Sequence, residues 1–355
     1  MKLWINIAVS VVAVLVLLLV TEAFVHTLAS STLQNKFPNS SLLSPFKSCQ
    51  IKDQGSSLSK SFYRLTDNPP GLWYELRPNV SGDLYGTQVS TNSFGMREHE
   101  TTIEKPSNTF RIAIISDSAT FGYRVRVEDR WSSILQELLN NQVKTEKVEV
   151  LNFAVPGYNT KQELILLENK VLEFKPDVIL FGHSLNDIYG EGTVSIGTSP
   201  IVKLLSSRSA LFNCFDFQKI AGIKRIFVTD YTLNKPFKEM YVAESDVWKN
   251  YQKYFPEIAE VVHNNKIPTI FVLMPYLEKI DGDYELNEAY AMIEKATKDS
   301  GMLAINLSPA AGFQYPDATS FLVDPTDFDH LNRKGHNVVA EAVLRELIKE
   351  HLLPR

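Results

Sequence analysis

Cysteine is almost absent. Cys49 and Cys214 are the only two in 355 residues. No zinc-type cysteine spacing exists, and at most one disulfide, Cys49–Cys214, is open to an exported chain. A surplus of basic charge is also missing. Lys and Arg total 36 against 41 Asp and Glu, a formal charge of −5, with no long basic run. That balance argues against nucleic acid as a partner. No internal repeat is evident. What remains is a chain that is 44% hydrophobic, long enough to bury one sizeable core and still carry appendages.

Charge is absent altogether from residues 3–20, an apolar run from Leu3 to Val20. At about 1.5 Å per residue such a helix spans a bilayer core of about 30 Å. Lys2 and the amino terminus precede it, which favours a cytoplasmic N-terminus with the rest of the chain exported. A cleaved signal peptide is the competing reading, with Thr27-Leu28-Ala29 as a poor cleavage site. A buried soluble helix is disfavoured because the run has no polar face.

The chain then divides by composition. Residues 1–29 read as the membrane anchor or signal segment. Residues 30–60, rich in Ser, Lys, Asn and Gln with Pro38 and Pro45, read as a linker. Residues 61–107 read as a small β-rich lead-in. There Leu72 to Pro78 is aromatic and extended, Tyr85 to Asn92 alternates like a strand, and Asn92-Ser93-Phe94-Gly95-Met96-Arg97 follows. Its expected role is structural. From residue 108 to 355 strands and helices alternate. Strands are expected at 111–116, 147–153, 177–182, 268–273 and 302–307. Helices are expected near 127–141, 160–174, 244–264, 284–299 and 334–350. This predicts an α/β fold, a parallel sheet with helices on both faces and right-handed crossovers. Residues 188–243 break the alternation and read as an insertion with one helix, Pro200 to Arg208.

The chemistry-bearing residues sit at strand ends. The five mostly apolar positions Ile112 to Ser116 read as a buried parallel strand, after which the chain turns through Asp117-Ser118. The carboxyl ends of such strands are where open α/β sheets place ligands. A serine hydroxyl is a weak nucleophile that needs a base within hydrogen-bond reach and a group to orient that base. More than 200 residues later, Asp327-Phe328-Asp329-His330-Leu331-Asn332 offers both. Asp324 and Asp329 are rival orienters to Asp327. His336 is a rival base, better suited to packing or capping. His183 and Ser184 are expected to line the pocket. Asp117 is expected to brace the turn or cap the next helix. No helically spaced ligand pattern points to a metal, and no cofactor is expected.

Four separated segments carry one resemblance: Ser116-Asp117-Ser118, then Val150 to Asn159 around Pro156-Gly157, then Val178 to Asp187 ending in Leu185-Asn186-Asp187, then Asp327 to Asn332. In this order they resemble the conserved blocks of the SGNH (GDSL-like) hydrolase family, over roughly residues 108–350, in its membrane-anchored bacterial form. The resemblance implies a flavodoxin-like three-layer sandwich, here behind an N-terminal transmembrane helix. It implies Ser118 as nucleophile, His330 as base and Asp327 as orienter. It implies an oxyanion hole from the backbone N–H groups of Ser118 and Gly157 and the side-chain amide of Asn186. One departure stands out: the family's glycine two residues before the nucleophile is Ser116. A Cβ there is harmless if the backbone stays extended and strained if φ is positive.

The implied activity is an extracytoplasmic serine esterase that removes an acyl group, acetyl above all, from a glycan through an acyl-enzyme. Three alternatives stay open. An O-acyltransferase would use the same residues and a separate acyl-donor partner. A non-catalytic glycan-binding module would sit on a decayed hydrolase fold. A long-chain lipase would need a broad apolar channel.

Overall fold

The computed structural model of the chain describes residues 62–66, 68–189, 237–278, 280 and 284–354. The expected anchor at 3–20, the linker at 30–60, both cysteines, and most of the 188–243 insertion with its helix at 200–208 lie outside the described residues. No described helix is long and apolar enough to cross a membrane.

Five parallel strands form the central sheet, in the order β6-β5-β7-β8-β9. They are β5 (Thr109–Ser116), β6 (Lys147–Asn152), β7 (Val178–His183), β8 (Thr269–Leu273) and β9 (Leu303–Asn306). All five expected strands are present, shifted at their ends by one or two residues. The strands read as apolar runs because both faces are covered. Successive residues of β5 serve opposite layers. Ile112 and Ile114 pack with Trp131, Leu135 and Leu139 and with Val339, Val343 and Leu347. Ala113 and Ile115 pack with Leu167, Phe255, Ile258, Tyr290 and Ile293. The result is a three-layer α/β/α sandwich. Chain order reverses at β5, which has β6 on one side and β7 on the other. The crevice at the carboxyl end of β5 is therefore the topological switch point, where this architecture places its sites.

The helices, numbered in chain order, are α1 (Ser118–Phe121), α2 (Trp131–Gln142), α3 (Thr160–Asn169), α4 (Phe237–Met240), α5 (Asp246–Tyr251), α6 (Tyr254–Asn264), α7 (Asn287–Asp299) and α8 (Arg333–Lys349). Four expected helices are shorter than the pattern suggests: the 284–299 helix begins at Asn287, and three others are interrupted. The 127–141 helix begins as a 3-10 turn, Val127–Asp129, before α2. The 160–174 helix ends at Asn169 and finishes as a 3-10 turn closed by Lys175 at φ 52°. The 244–264 helix is split into α5 and α6 at Gln252 and Lys253. Pro256 causes that split: it has no N–H to offer the Gln252 carbonyl, yet it fits the first turn of a new helix. Met240 and Tyr241, among the last described residues of the insertion, are fully buried.

The lead-in consists of two antiparallel hairpins, β1 (Tyr63–Leu65) with β2 (Tyr74–Leu76) and β3 (Ser81–Leu84) with β4 (Thr87–Ser90). Phe62, Leu72, Leu76, Leu84, Val89 and Met96 join the same apolar cluster as α3 and β7, so the lead-in packs directly on the sandwich.

Candidate active site

Ser118 follows β5 as the first residue of α1, a single helical turn. Asp117 caps that turn by accepting the Ala119 N–H at 2.9 Å. The Asp117 carboxylate also receives the Ser184 hydroxyl at 3.3 Å and the Asn186 amide at 3.1 Å, and lies 3.4 Å from the Ser118 oxygen. It thus ties the ends of β5 and β7 together.

His330 arrives from the loop before α8, with Nε2 2.8 Å from the Ser118 hydroxyl. Its Nδ1 lies 2.9 Å from both oxygens of Asp327. The Asp327 carboxylate also accepts the backbone N–H groups of His330 at 3.1 Å and Asp329 at 3.3 Å. Those local bonds explain why a three-residue spacing can deliver both partners: the carboxylate folds its own loop around the imidazole it orients. Burial and the bonds from His330 act oppositely on Asp327, and its pKa ends below the usual carboxylate range. For His330, burial lowers the pKa, but the Asp327 bond and the charges of Asp329, Asp327 and Asp117 outweigh it and raise the pKa above the ordinary imidazole value.

The rivals separate by geometry. Asp324 spends its carboxylate on the Thr326 N–H and hydroxyl and sits 3.8 Å from Arg124. Asp329 makes no bond to the His330 ring. Burial and the Asp117 charge push its carboxyl up to about 7. His336 is buried in the first turn of α8, where its Nδ1 accepts the Trp131 N–H at 3.2 Å and caps α2. His183 and Ser184 stand differently: the Ser184 hydroxyl donates to Asp117 at 3.3 Å, whereas His183 turns to other partners. Both are buried, and His183 is held by Asp187 at 3.1 Å and the Tyr251 hydroxyl at 3.2 Å. Burial lowers its pKa to about 3, so it is neutral.

The three oxyanion candidates lie at the carboxyl ends of three adjacent strands. Ser118 follows β5, Gly157 follows β6 at φ +79°, and Asn186 follows β7. Neither the Ser118 nor the Gly157 N–H donates a hydrogen bond among the described residues. One hydrogen of the Asn186 amide is committed to Asp117, which leaves its second for a ligand. The side-chain oxygen of the Asn186 amide is buried without a partner, while its backbone carbonyl accepts the Tyr189 N–H at 3.0 Å.

Ser116 sits in β5 with no positive φ and is fully buried. Its hydroxyl donates to the Gly182 carbonyl at 2.5 Å. The two positions are paired across β5 and β7, and a Cβ on Gly182 would meet the Ser116 hydroxyl at 2.7 Å and the Thr120 hydroxyl at 2.4 Å. The side chain gained at 116 thus fills the space that glycine leaves at 182.

Sequence reasoning missed three contributors. Tyr123 lies on the His330 ring with centroids 4.3 Å apart, and Tyr85 of the lead-in lies on Tyr123 at 4.8 Å. Arg97 is buried beneath α1 and donates to the carbonyls of Phe121 at 3.0 Å, Gly122 at 2.7 Å and Val125 at 2.8 Å. The spacing Asn92-x-x-Gly95-x-Arg97 encodes the turn before Arg97, not the reach of its side chain. The Asn92 side chain accepts the N–H groups of Phe94 and Met96, and Gly95 takes φ +74° with a would-be Cβ 2.4 Å from the Leu76 carbonyl oxygen.

A serine, a histidine and an aspartate in bonded series, beside free N–H groups at a switch point, form a serine hydrolase site acting on ester bonds. The profile of the GDSL-like Lipase/Acylhydrolase family matches residues 117–338, and the chain belongs to that family. Among solved structures it is similar to a lipase/acylhydrolase from Enterococcus faecalis, at 18% identity and TM-score 0.44, over 69% of this chain and 98% of that one. It is also similar to a catalytic mutant of an acetylxylan esterase from Geobacillus stearothermophilus, at 15% identity and TM-score 0.43, over 67% and 94%. No curated protein matches it in sequence.

Proposed function

We propose that the chain is an extracytoplasmic esterase that removes a short acyl group, acetyl above all, from a glycan. The observation that carries this reading is the bonded series Ser118–His330–Asp327, with a 2.8 Å contact between hydroxyl and imidazole. His330 takes the proton as Ser118 attacks the ester carbonyl. The oxyanion is received by the N–H groups of Ser118 and Gly157 and the free amide hydrogen of Asn186. His330 then returns the proton to the departing sugar oxygen. Water repeats the sequence on the acyl-enzyme and releases the acid.

A short acyl group suits a nucleophile whose polar neighbours are Asp117 and His330, with Asn186 bonded to Asp117 beside them. A sugar suits the flank, where Tyr85 is 36% exposed and continues the Tyr123–His330 stack. A tether through residues 3–20 behind Lys2 would hold the site on the exported side of the membrane. A transferase would use the same acyl-enzyme with a sugar hydroxyl in place of water and a partner that delivers the donor. Product analysis with the purified full-length chain and an acetylated glycan decides the matter. Free acetate supports the esterase. Acetate moved to a second sugar replaces it with the transferase. Glycan binding without turnover removes both.

A further inference from the structure

The peptide that presents the Gly157 N–H is gripped from its other side. Tyr74, in β2 of the lead-in, donates its hydroxyl to the Pro156 carbonyl at 2.7 Å. That carbonyl and the Gly157 N–H belong to one planar peptide unit and point in opposite directions. Fixing one end therefore fixes the aim of the other. The restraint matters because Gly157, at φ +79°, has no side chain to oppose rotation of this peptide. The bond also polarises the amide, since linked hydrogen bonds strengthen one another.

Tyr74 is itself held rigidly. Its carbonyl accepts the Tyr158 hydroxyl at 2.5 Å, and its ring meets Tyr63 and Tyr158 edge-on at centroid distances of 5.6 and 5.3 Å. Burial pushes the hydroxyl's pKa above the usual tyrosine range, so it remains a donor. A Cβ at 157 would lie 2.9 Å from the Tyr74 hydroxyl, so a larger residue would have to displace that hydroxyl as well as hold φ +79°.

We propose that Tyr74 is a positioning residue of the oxyanion hole: a lead-in hydroxyl that holds the Gly157 N–H toward the developing oxyanion. The proposal rests on the reading of Ser118 as nucleophile and Gly157 as oxyanion donor. It makes the lead-in part of the catalytic apparatus.

The test uses the full chain with Tyr74→Phe, which keeps the ring and removes only the hydroxyl. Rates on p-nitrophenyl acetate are normalised to active sites titrated with a fluorophosphonate, so misfolded protein does not count. Loss of a whole oxyanion donor costs about 10²–10³ in kcat. Loosening one should cost about 10-fold in kcat with KM within about twofold. Affinity for a boronic acid that forms a tetrahedral serine adduct should fall by the same factor. Tyr315→Phe is the control, because its buried hydroxyl likewise donates to a carbonyl, that of Leu307 at 2.8 Å, but in the opposite layer. It should leave kcat unchanged. An active parent with an unchanged Tyr74→Phe kcat overturns the Tyr74 role alone, as does an equal loss in Tyr315→Phe. A parent with no turnover overturns the esterase reading and the Tyr74 role with it.

Discussion

Arg97→Met should weaken both the fold and the nucleophile turn. The guanidinium is 2% exposed and donates to three carbonyls at 2.7–3.0 Å, two of them from the end of α1 and the residue that caps it. A single turn of four residues has no stability of its own, and its last carbonyls have no partners within the helix. Burial and the charge of Arg130 lower the Arg97 pKa to about 9, so it stays charged at neutral pH. A net charged hydrogen bond contributes about 1.5–3 kcal/mol, and these three share one side chain, so they do not add fully. Breaking a buried charged network costs about 3–5 kcal/mol. For a domain of this size about 1 kcal/mol moves Tm by about 2–4 °C, so Arg97→Met should melt roughly 6–20 °C lower. Below its melting point its kcat per titrated site should fall, because Ser118 begins the loosened turn. Arg97→Lys should fall between the two, as an ammonium cannot reach all three carbonyls. Calorimetry and ester hydrolysis at 20 °C are the assays. A melt within about 1 °C of the parent, with unchanged kcat, would refute this reasoning.

Ser118→Ala and His330→Ala should each remove nearly all turnover, with the double variant little worse than either, because bonded groups act as a unit; additive losses in ester hydrolysis would contradict the 2.8 Å contact. The acid limb of kcat/KM should lie above the ordinary histidine pKa, since His330 must be neutral to act as base and its pKa is raised. Asp329→Asn should move that limb down by removing one of the charges that raise it, and a pH–rate profile reads the shift. The same variant should gain stability at pH 8 and not at pH 4. The Asp329 carboxyl, raised to about 7, is compatible with folding while protonated and becomes costly as pH rises through that value. Ser116→Gly should cost about 1–2 kcal/mol of stability with no gain in rate, because it removes a buried hydrogen bond and empties the space beside Gly182. A faster enzyme would show that Ser116 burdens the turn.

The sandwich was legible because its central strands are short, mostly apolar runs alternating with helical patterns, and burial on both faces demands such runs. Ser118, Asp327 and His330 were legible because the base and its orienter lie three residues apart and the nucleophile sits in the turn just after β5. Helix ends were less legible. The hydrophobic pattern runs through Lys170 and Gln252, while the breaks come from backbone conformation and from the missing N–H of Pro256. The lead-in was visible as strands but silent about its role. The grip of Arg97 on the carbonyls of α1 and the contact of Tyr85 with Tyr123 are long-range, and no local spacing encodes them. Ser116 was ambiguous because its φ and the empty space at Gly182 are properties of two paired strands, not of one segment.

The central claim is that Ser118 becomes acylated. The direct measurement is acid quenching of the full-length chain during turnover of p-nitrophenyl acetate, followed by peptide mass analysis. The account predicts one acetyl group, about 42 Da, on the peptide carrying Ser118, absent from Ser118→Ala and discharged on longer incubation. Continued turnover in Ser118→Ala, or a stable acetyl group confined to another residue, would contradict it.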